Sequence, residues 1–453
     1  MKKVIVFTAV IWGVLFFIFQ SCNTGDKLVQ FIEPPFEDIF IPMKNFTIEP
    51  ASGGTILTET GTEIIIPPEC LVYEDGRPVD KTVNIEFREY HNAAGIILSG
   101  IPMVFDSAGI PKQFESAGMF EIRGNCEGKP VFVKEGSEIA VNLASYSGDD
   151  GYNFYGYDEK VNNWQYEGNA PVTENIRKKQ LLENIKSKYP TVIEPRKTDE
   201  NSIILDFDVN YNEFPELAVF HGVLWEYAGN SPASNPKLNM WIYSTDWSDI
   251  ELKQSDLTGN LYTLELKNQT TAFTTTVSPV FTGKDYEKAL QKFNEQMIAY
   301  KDVLEERRNE EELANAQAGF LRSFAVNGFG IYNWDRYYKV LDCVRLIADF
   351  TYEGKSIREY KEAMVFLITG SDNVVIRYHP CDYANFSFSP ADVNKIIAIL
   401  PGKKVVGYTP EKFGKIDLDM LRSMEKPAFT FDLALIGENV SSETEFMKMV
   451  VGL

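Results

Sequence analysis

The chain has 453 residues, 44% of them apolar and 13% aromatic, with 44 Lys and Arg against 65 Asp and Glu for a net charge of −21. So much apolar and aromatic matter excludes a disordered chain, and the length exceeds one compact domain; at about 150 residues per domain, two to four are expected. The acidity repels nucleic acid and anionic lipid, so no nucleic-acid partner is expected; it suits cations or basic partners, or keeps an exported protein soluble.

Residues 1–21 have the three-part layout of a secretory signal: Met1-Lys2-Lys3 is positive, Val4 to Phe19 is almost wholly apolar, and Gln20-Ser21 precedes Cys22. The apolar run falls short of the roughly 20 residues of a transmembrane helix. A small residue followed by cysteine resembles the lipobox of bacterial lipoproteins, although Phe19 and Gln20 stand where Leu and a small residue are commoner. The resemblance implies cleavage before Cys22 and acylation there, palmitate included, which makes the membrane a partner through the lipid; several acyl chains anchor far better than one. Asn23 follows Cys22, and no Asp, which by the same resemblance points to the outer membrane of the cell envelope. Cleavage removes Lys2 and Lys3 and no acid, leaving −23. The competing reading is an uncleaved signal anchor with an incidental cysteine. Pro34, Pro35, Pro42 and Pro50 mark residues 22–50 as an extended tether.

Residues 51–168 read as an N-terminal β-sandwich. Val83, Ile85 and Phe87 alternate with polar neighbours, as do Phe120 and Ile122, and Ile139, Val141 and Leu143, and period 2 with one apolar face means strands packed on one side. Gly53-Gly54, Asp75-Gly76, Gly124-Asn125 and Gly136-Ser137 supply the turns. Gly53-Gly54-Thr55 followed by Gly61-Thr62-Glu63-Ile64-Ile65-Ile66-Pro67-Pro68 is similar to the opening of the β-sandwich shared by zonula occludens proteins, ankyrins and netrin receptors. Ser99 to Met103 and Ser116 to Ile122 resemble segments of uncharacterised bacterial envelope lipoproteins that carry such a domain. The resemblance covers about a quarter of the chain and implies a domain that mediates protein contacts; the His-Phe-Ser at which some relatives cleave themselves is missing here. Asp106-Ser107-Ala108 resembles a site that some Gram-negative bacteria O-glycosylate on Ser107 after export, with a plain turn as the alternative.

Tyr152 to Trp164 reads as a hairpin closing this domain. Residues 169–204 form a helical linker with Ile176, Leu182 and Ile185 near one face. Residues 205–281 read as a small β unit in which Trp225, Tyr227, Trp241, Tyr243 and Trp247 cluster; exposed, these rings would stack on sugar faces, with Asp246, Asp249 and Glu251 as acceptors, whereas buried they would simply fill a core. Residues 282–319 form one long amphipathic helix, opened by a capping box at Thr282 and Asp285, stopped at Gly319, and seamed at heptad spacing by Tyr286, Leu290, Phe293, Met297, Tyr300 and Leu304. It either holds domains apart, pairs with a partner, or packs back on its own β units.

Residues 320–453 read as a C-terminal β-rich domain with strands at Val344 to Phe350, Ala363 to Ile368, Val374 to Tyr378 and Phe429 to Leu435, and a short helix opened by Ser389-Pro390 and ended by Pro401-Gly402. The fold class expected is therefore mainly β with helical insertions: two or three sandwich-like units plus one long helix. Once Cys22 is lipidated, Cys70, Cys126, Cys343 and Cys381 remain without any C-x-x-C pair; four buried free thiols are favoured over two bridges. His91, His221 and His379 are scattered, and His379-Pro380-Cys381-Asp382 is the most reactive-looking spot, with a structural role expected because the proline restrains the dyad. No serine-hydrolase elbow, zinc helix or S-x-x-K motif occurs, so no enzyme, metal or cofactor is expected. The function expected is a non-catalytic binding, adhesion or scaffolding protein with an envelope protein or glycan as partner. The alternatives are a glycan-binding lipoprotein using the Trp225 to Trp247 region, or an atypical envelope hydrolase, which requires an open cleft with two convergent carboxylates.

Overall fold

The structure, a computed structural model, describes residues 31–169, 171–188, 194–198, 201–205, 223–256, 261–339, 342–370 and 373–452. The expected signal, Cys22, the first part of the tether and His221 lie outside the described residues. The chain is mainly β with helical insertions. It divides into two compact units: residues 176–317 make one, and the chain on either side of them makes the other.

The larger unit is built from four main β-sheets separated by three apolar clusters, with Leu71–Val72 and Phe132–Val133 forming a small two-stranded fifth. The first sheet runs in the order Val172–Glu174, Phe320–Val326, Ile139–Ser145, Glu63–Ile66, Gly54–Leu57. The second runs Lys44–Ile48, Val83–Tyr90, Ile110–Cys126, Gly330–Tyr337, Asn153–Asp158, Asn163–Asn169. The third runs Val374–Tyr378, Met364–Thr369, Lys395–Leu400, Lys404–Tyr408, Ala434–Gly437. The fourth centres on Val344–Tyr352, with Phe386–Phe388 antiparallel and Ala428–Asp432 parallel to it. Ile64, Val141 and Leu143 of the first sheet meet Ile85, Phe87, Phe120 and Trp334 of the second. Met119, Tyr155 and Ile331 of the second meet Phe366, Ile368 and Ile397 of the third, joined by the helices Ala93–Ser99 and Glu443–Gly452. Val365, Leu367 and Ile396 of the third meet Leu346, Phe350 and Phe431 of the fourth.

The two middle sheets are thus covered on both faces, which single-faced alternation did not indicate. Successive residues of Met364–Thr369 go to different clusters, Val365 and Leu367 to one, Phe366 and Ile368 to the other, as a period-2 strand with two apolar faces must. Of the polar residues that alternated with Phe120 and Ile122, Arg123 is partly exposed but Glu121 is not solvated. Glu121 is buried and bridges Arg88 (2.5 Å) and Arg123 (3.0 Å).

Gly53 shows why the opening of the first sheet needs glycine: its φ is +64°, and a Cβ there would lie 2.2 Å from the Ile66 carbonyl oxygen. The two prolines that follow the strand Glu63–Ile66, which buries Ile64 and Ile66 and exposes Ile65, end its ladder.

Several expectations change. The tether is docked in its second half: Phe36 and Ile39 are buried, Glu33 N–H donates to Gly100 O (3.0 Å), and Lys44–Ile48 is a strand of the second sheet. The boundary at 320 is displaced, because Phe320–Val326 and Gly330–Tyr337 pair with Ile139–Ser145 and Ile110–Cys126 in the first two sheets. The helix expected after Ser389 is the strand Lys395–Leu400, all six residues buried; an apolar, β-branched run between two covered faces packs as a strand despite its proline flank. Phe429 to Leu435 is two strands, Ala428–Asp432 in the fourth sheet and Ala434–Gly437 in the third, broken at buried Leu433.

The inserted unit has a five-strand sheet in the order Ile204–Leu205, Leu224–Tyr227, Ala272–Val280, Leu261–Lys267, Asp249–Asp256, over a core of Trp225, Tyr262, Leu264, Phe273 and Val277. Its long helix, Gly283–Ala316, packs on the helix Ile176–Lys188, where Leu181, Leu182 and Ile185 meet Val303 and Ala314, and Lys188 reaches Glu310 (2.6 Å). The capping box is not formed: Thr282 occupies the N-cap without a side-chain hydrogen bond, and the helix stops at an extended Gln317 before Gly319 is reached. The insertion leaves and re-enters the larger unit at neighbouring residues. Glu174 is paired with Phe320, and Asn175 donates from its backbone to Gly319 O (2.8 Å) and from Nδ2 to Ala318 O (3.0 Å).

Candidate functional site: an aromatic platform

Residues 228–248 connect the strands Leu224–Tyr227 and Asp249–Asp256 through two short 3-10 turns, Pro232–Ser234 and Met240–Ser244. Proline at the start of the first turn fixes its φ, and Asn239 Nδ2 donates to the carbonyls of Pro232 (3.1 Å), Ala233 (3.1 Å) and Asn235 (3.0 Å), tying the second turn to the first. The side chain of Ile242 plugs the core at 3% exposure. From the loop so fixed stand Leu238 (67% exposed), Met240 (63%), Trp241 (42%) and Tyr243 (54%).

The five aromatics singled out in the sequence therefore separate. Trp225 is fully buried, edge-on to Tyr262 at 5.2 Å, and belongs to the core, which removes it as a stacking surface. Tyr227 is half-buried and its hydroxyl donates to Ser231 O (3.1 Å). Trp247 is half-buried, packed on the core, with Nε1 donating to Ile242 O (3.0 Å). Trp241 and Tyr243 alone present open rings, Trp241 lying 5.9 Å from the ring of Trp247. Leu238 and Met240, the most exposed members, were missed; an isolated Leu and Met within an irregular stretch carry no periodic signal.

Several polar groups beside the platform are spent inside the loop, while the Asp246 and Asp249 carboxylates are exposed and have no partner among the described residues. Trp241 Nε1 donates to Asn239 Oδ1 (3.3 Å), and the hydroxyls of Ser244 and Thr245 donate to Trp241 O (3.1 and 2.9 Å). Glu251 is paired with Lys253 (2.8 Å), and its other oxygen with Lys267 (3.5 Å).

Carboxylates elsewhere are held too. In the larger unit, Glu115 and Arg336 lie opposite each other on paired strands and form a two-bond fork, Nε to Oε2 at 3.0 Å and Nη2 to Oε1 at 2.6 Å, while Tyr152 Oη donates to Oε1 (3.0 Å). The Tyr152 ring lies between two guanidinium groups, Arg322 at 4.6 Å and Arg336 at 4.5 Å. Next along the strand, Asp335 is wholly buried with the Ser116 hydroxyl as a polar neighbour; burial outweighs that contact and holds its pKa well above the usual carboxylate value. Glu89, largely but not fully buried, accepts from Thr60 (2.5 Å) and Thr62 (2.6 Å) and lies 3.0 Å from His91 Nε2; burial raises its pKa, but these contacts outweigh it and hold the pKa below the usual value. At the sequence's most reactive-looking spot, Asp382 accepts from the His379 backbone (3.0 Å), fixing a turn.

None of the four described cysteines is in a disulfide; Cys70 and Cys126 are buried, but Cys343 and Cys381 are exposed, correcting the expectation of four buried thiols. Ser107 precedes a two-residue hairpin turn in which Ala108 (φ 54°) and Gly109 (φ 85°) are both left-handed and Asp106 accepts from Gly109 N–H (2.6 Å). Among the described residues no cluster of three metal-ligating side chains occurs, and no helix is long and apolar enough to cross a membrane. Comparison with family models, with curated proteins and with solved structures finds no match.

Proposed function

We propose that this chain is a lipid-anchored protein of the bacterial cell envelope, held in the outer membrane through Cys22, which works without catalysis as a binding or scaffolding protein. Its partner is another envelope protein, and the contact is made by the platform of Leu238, Met240, Trp241 and Tyr243. The observation that carries this reading is the composition of the platform: two long apolar side chains more exposed than the rings. A protein partner rewards burial of Leu and Met at about 25 cal/mol per Å², whereas a sugar draws on rings and hydrogen-bonding groups and gains little from Leu or Met. The chain's acidity favours a basic rim on that partner. Ser107, at its hairpin turn, is in this reading open to glycosylation after export.

The test is a photo-cross-linking residue at position 240 in intact envelopes. A discrete protein adduct is expected, lost on Leu238→Ser with Trp241→Ser at unchanged melting temperature. A yield no higher than at exposed Val393 sinks the protein reading. Retention of the chain on envelope polysaccharide through Trp241 and Tyr243 would put the glycan alternative in its place.

A further inference from the structure

The larger unit carries a second feature, independent of the platform. A cleft of about 500 Å³ is lined by Glu115, Asn153, Arg336, Tyr337, Lys339 and Asp392, with Ser389 in its wall. Its floor is rigid. The Glu115–Arg336 fork is planar and held from behind by Tyr152, and the Tyr337 ring is parallel to Phe114, 6.0 Å away at 2°, and to Phe105, 6.1 Å away at 10°. Tyr337 is nevertheless 42% exposed. Tyr338 Oη donates to Asp392 Oδ2, leaving Oδ1 without a partner among the described residues. Lys339 is exposed and forms no ion pair with a described residue. Ser389, 1% exposed, has a hydroxyl with no partner among the described residues. Buried polar groups are almost always hydrogen-bonded, so an orphan in a cleft wall points to a missing oxygen or nitrogen there.

We propose that this cleft is a saccharide-binding site, with the sugar's C–H face on Tyr337 and its hydroxyls on Asp392, Lys339, Asn153 and the Arg336 fork. The chemistry decides for a sugar over a charged ligand. The strongest charges, Glu115 and Arg336, already neutralise each other, so a charged ligand gains little from them, while a fork of fixed donors and acceptors suits paired hydroxyls. An open ring beside free groups of both hydrogen-bonding senses, set within one cleft, is the combination that suits a sugar.

Saturation-transfer NMR on the full chain tests this, with N-acetylglucosamine, glucose, galactose, mannose, cellobiose and chitobiose as probes, and alanine and glutamate as zwitterionic controls. At least one sugar is expected to saturate in the millimolar range or tighter. Asp392→Ala and Tyr337→Ala should each weaken it tenfold or more, Tyr337→Phe should keep it, and Trp241→Ala should leave it unchanged. Because Tyr337 also packs on Phe114, the exposed Lys339→Ala serves as a second probe that should weaken binding without altering the melting temperature. No saturation by any sugar, or saturation by the amino acids alone, would overturn the proposal and leave the platform reading untouched; sugar binding that Trp241→Ala abolishes while Asp392→Ala and Lys339→Ala do not would overturn it and place the glycan alternative at the platform instead.

Discussion

At the level of single residues, two tryptophans of the inserted unit, one on a strand and one on a loop, illustrate how differently the same side chain is used. Trp225 lies in a cluster with Tyr262, Leu264 and Val277, and Trp225→Ala is expected to cost about 3–5 kcal/mol in urea unfolding of the inserted unit. Trp241→Ala, at the surface, is expected to cost less than about 1 kcal/mol. Equal losses would contradict the placement of both. Asp335 makes a second case. Its folded pKa is raised, so between the unfolded value near 4 and the folded value the native state binds the proton and the unfolded state does not. Stability from this group is full below the unfolded pKa and is lost as pH rises toward the folded pKa. Asp335→Asn should therefore stabilise the chain on the order of 1–3 kcal/mol at pH 7 and little at pH 4. Denaturant curves at the two pH values check this, and a gain that does not grow with pH speaks against a neutral carboxyl. Neither residue's state was legible in the sequence, where Asp335 is one acid among 65 charged carboxylates.

At the level of elements, the turn after the helix Ala93–Ser99 governs the N-terminal segment. Gly100 has φ +65°, and a Cβ on it would lie 2.2 Å from Pro34 N and 2.3 Å from the Glu33 carbonyl carbon. Around it Phe36 stacks edge-on against Phe446 at 5.5 Å, and Arg377 and Lys403 pair with Glu33 (2.8 Å) and Asp38 (2.5 Å). Gly100→Ala is expected to release residues 31–43, seen as protease cleavage there at concentrations that leave the parent intact. An unchanged digest would show that the contact is not what holds the segment. The prolines in this stretch suggested an extended tether, but a proline-rich segment with two apolar side chains can lie on a protein as readily as it can span a gap, and residues 33–48 do lie on the larger unit. Composition alone does not separate those outcomes.

At the level of the whole molecule, the neck at Asn175 makes the insertion separable. Since Glu174 and Phe320 are paired neighbours, replacing 176–317 by a short Gly-Asn-Gly turn should leave the larger unit folded, with one cooperative melting transition and native-like β circular dichroism. A molten or aggregated product would mean that the insertion is part of the same folding unit. If Cys22 bears the lipid, Cys22→Ser should move the protein from the membrane to the soluble fraction. Only eleven positions separate Cys22 from docked Glu33, a reach of at most roughly 40 Å at about 3.6 Å per residue, so the larger unit would stay close to the bilayer.

The amino-acid sequence was sufficient for what depends on neighbours along the chain. Alternation in Val83 to Phe87 and Ile139 to Leu143, glycine and proline around Glu63–Ile66, and the long charged run of Gly283–Ala316 set the strands, the turns and the helix, and with them a mainly β class. Which faces those elements share was decided by tertiary structure. Stacking four sheets buries both sides of the middle two, turns Lys395–Leu400 into a strand, carries Phe320–Val326 back across an insertion to Ile139–Ser145, and selects Trp241 over Trp225 for solvent. The physical reason is that strand identity follows local backbone preference, while burial is a property of pairs of distant residues and is fixed only when the sheets meet.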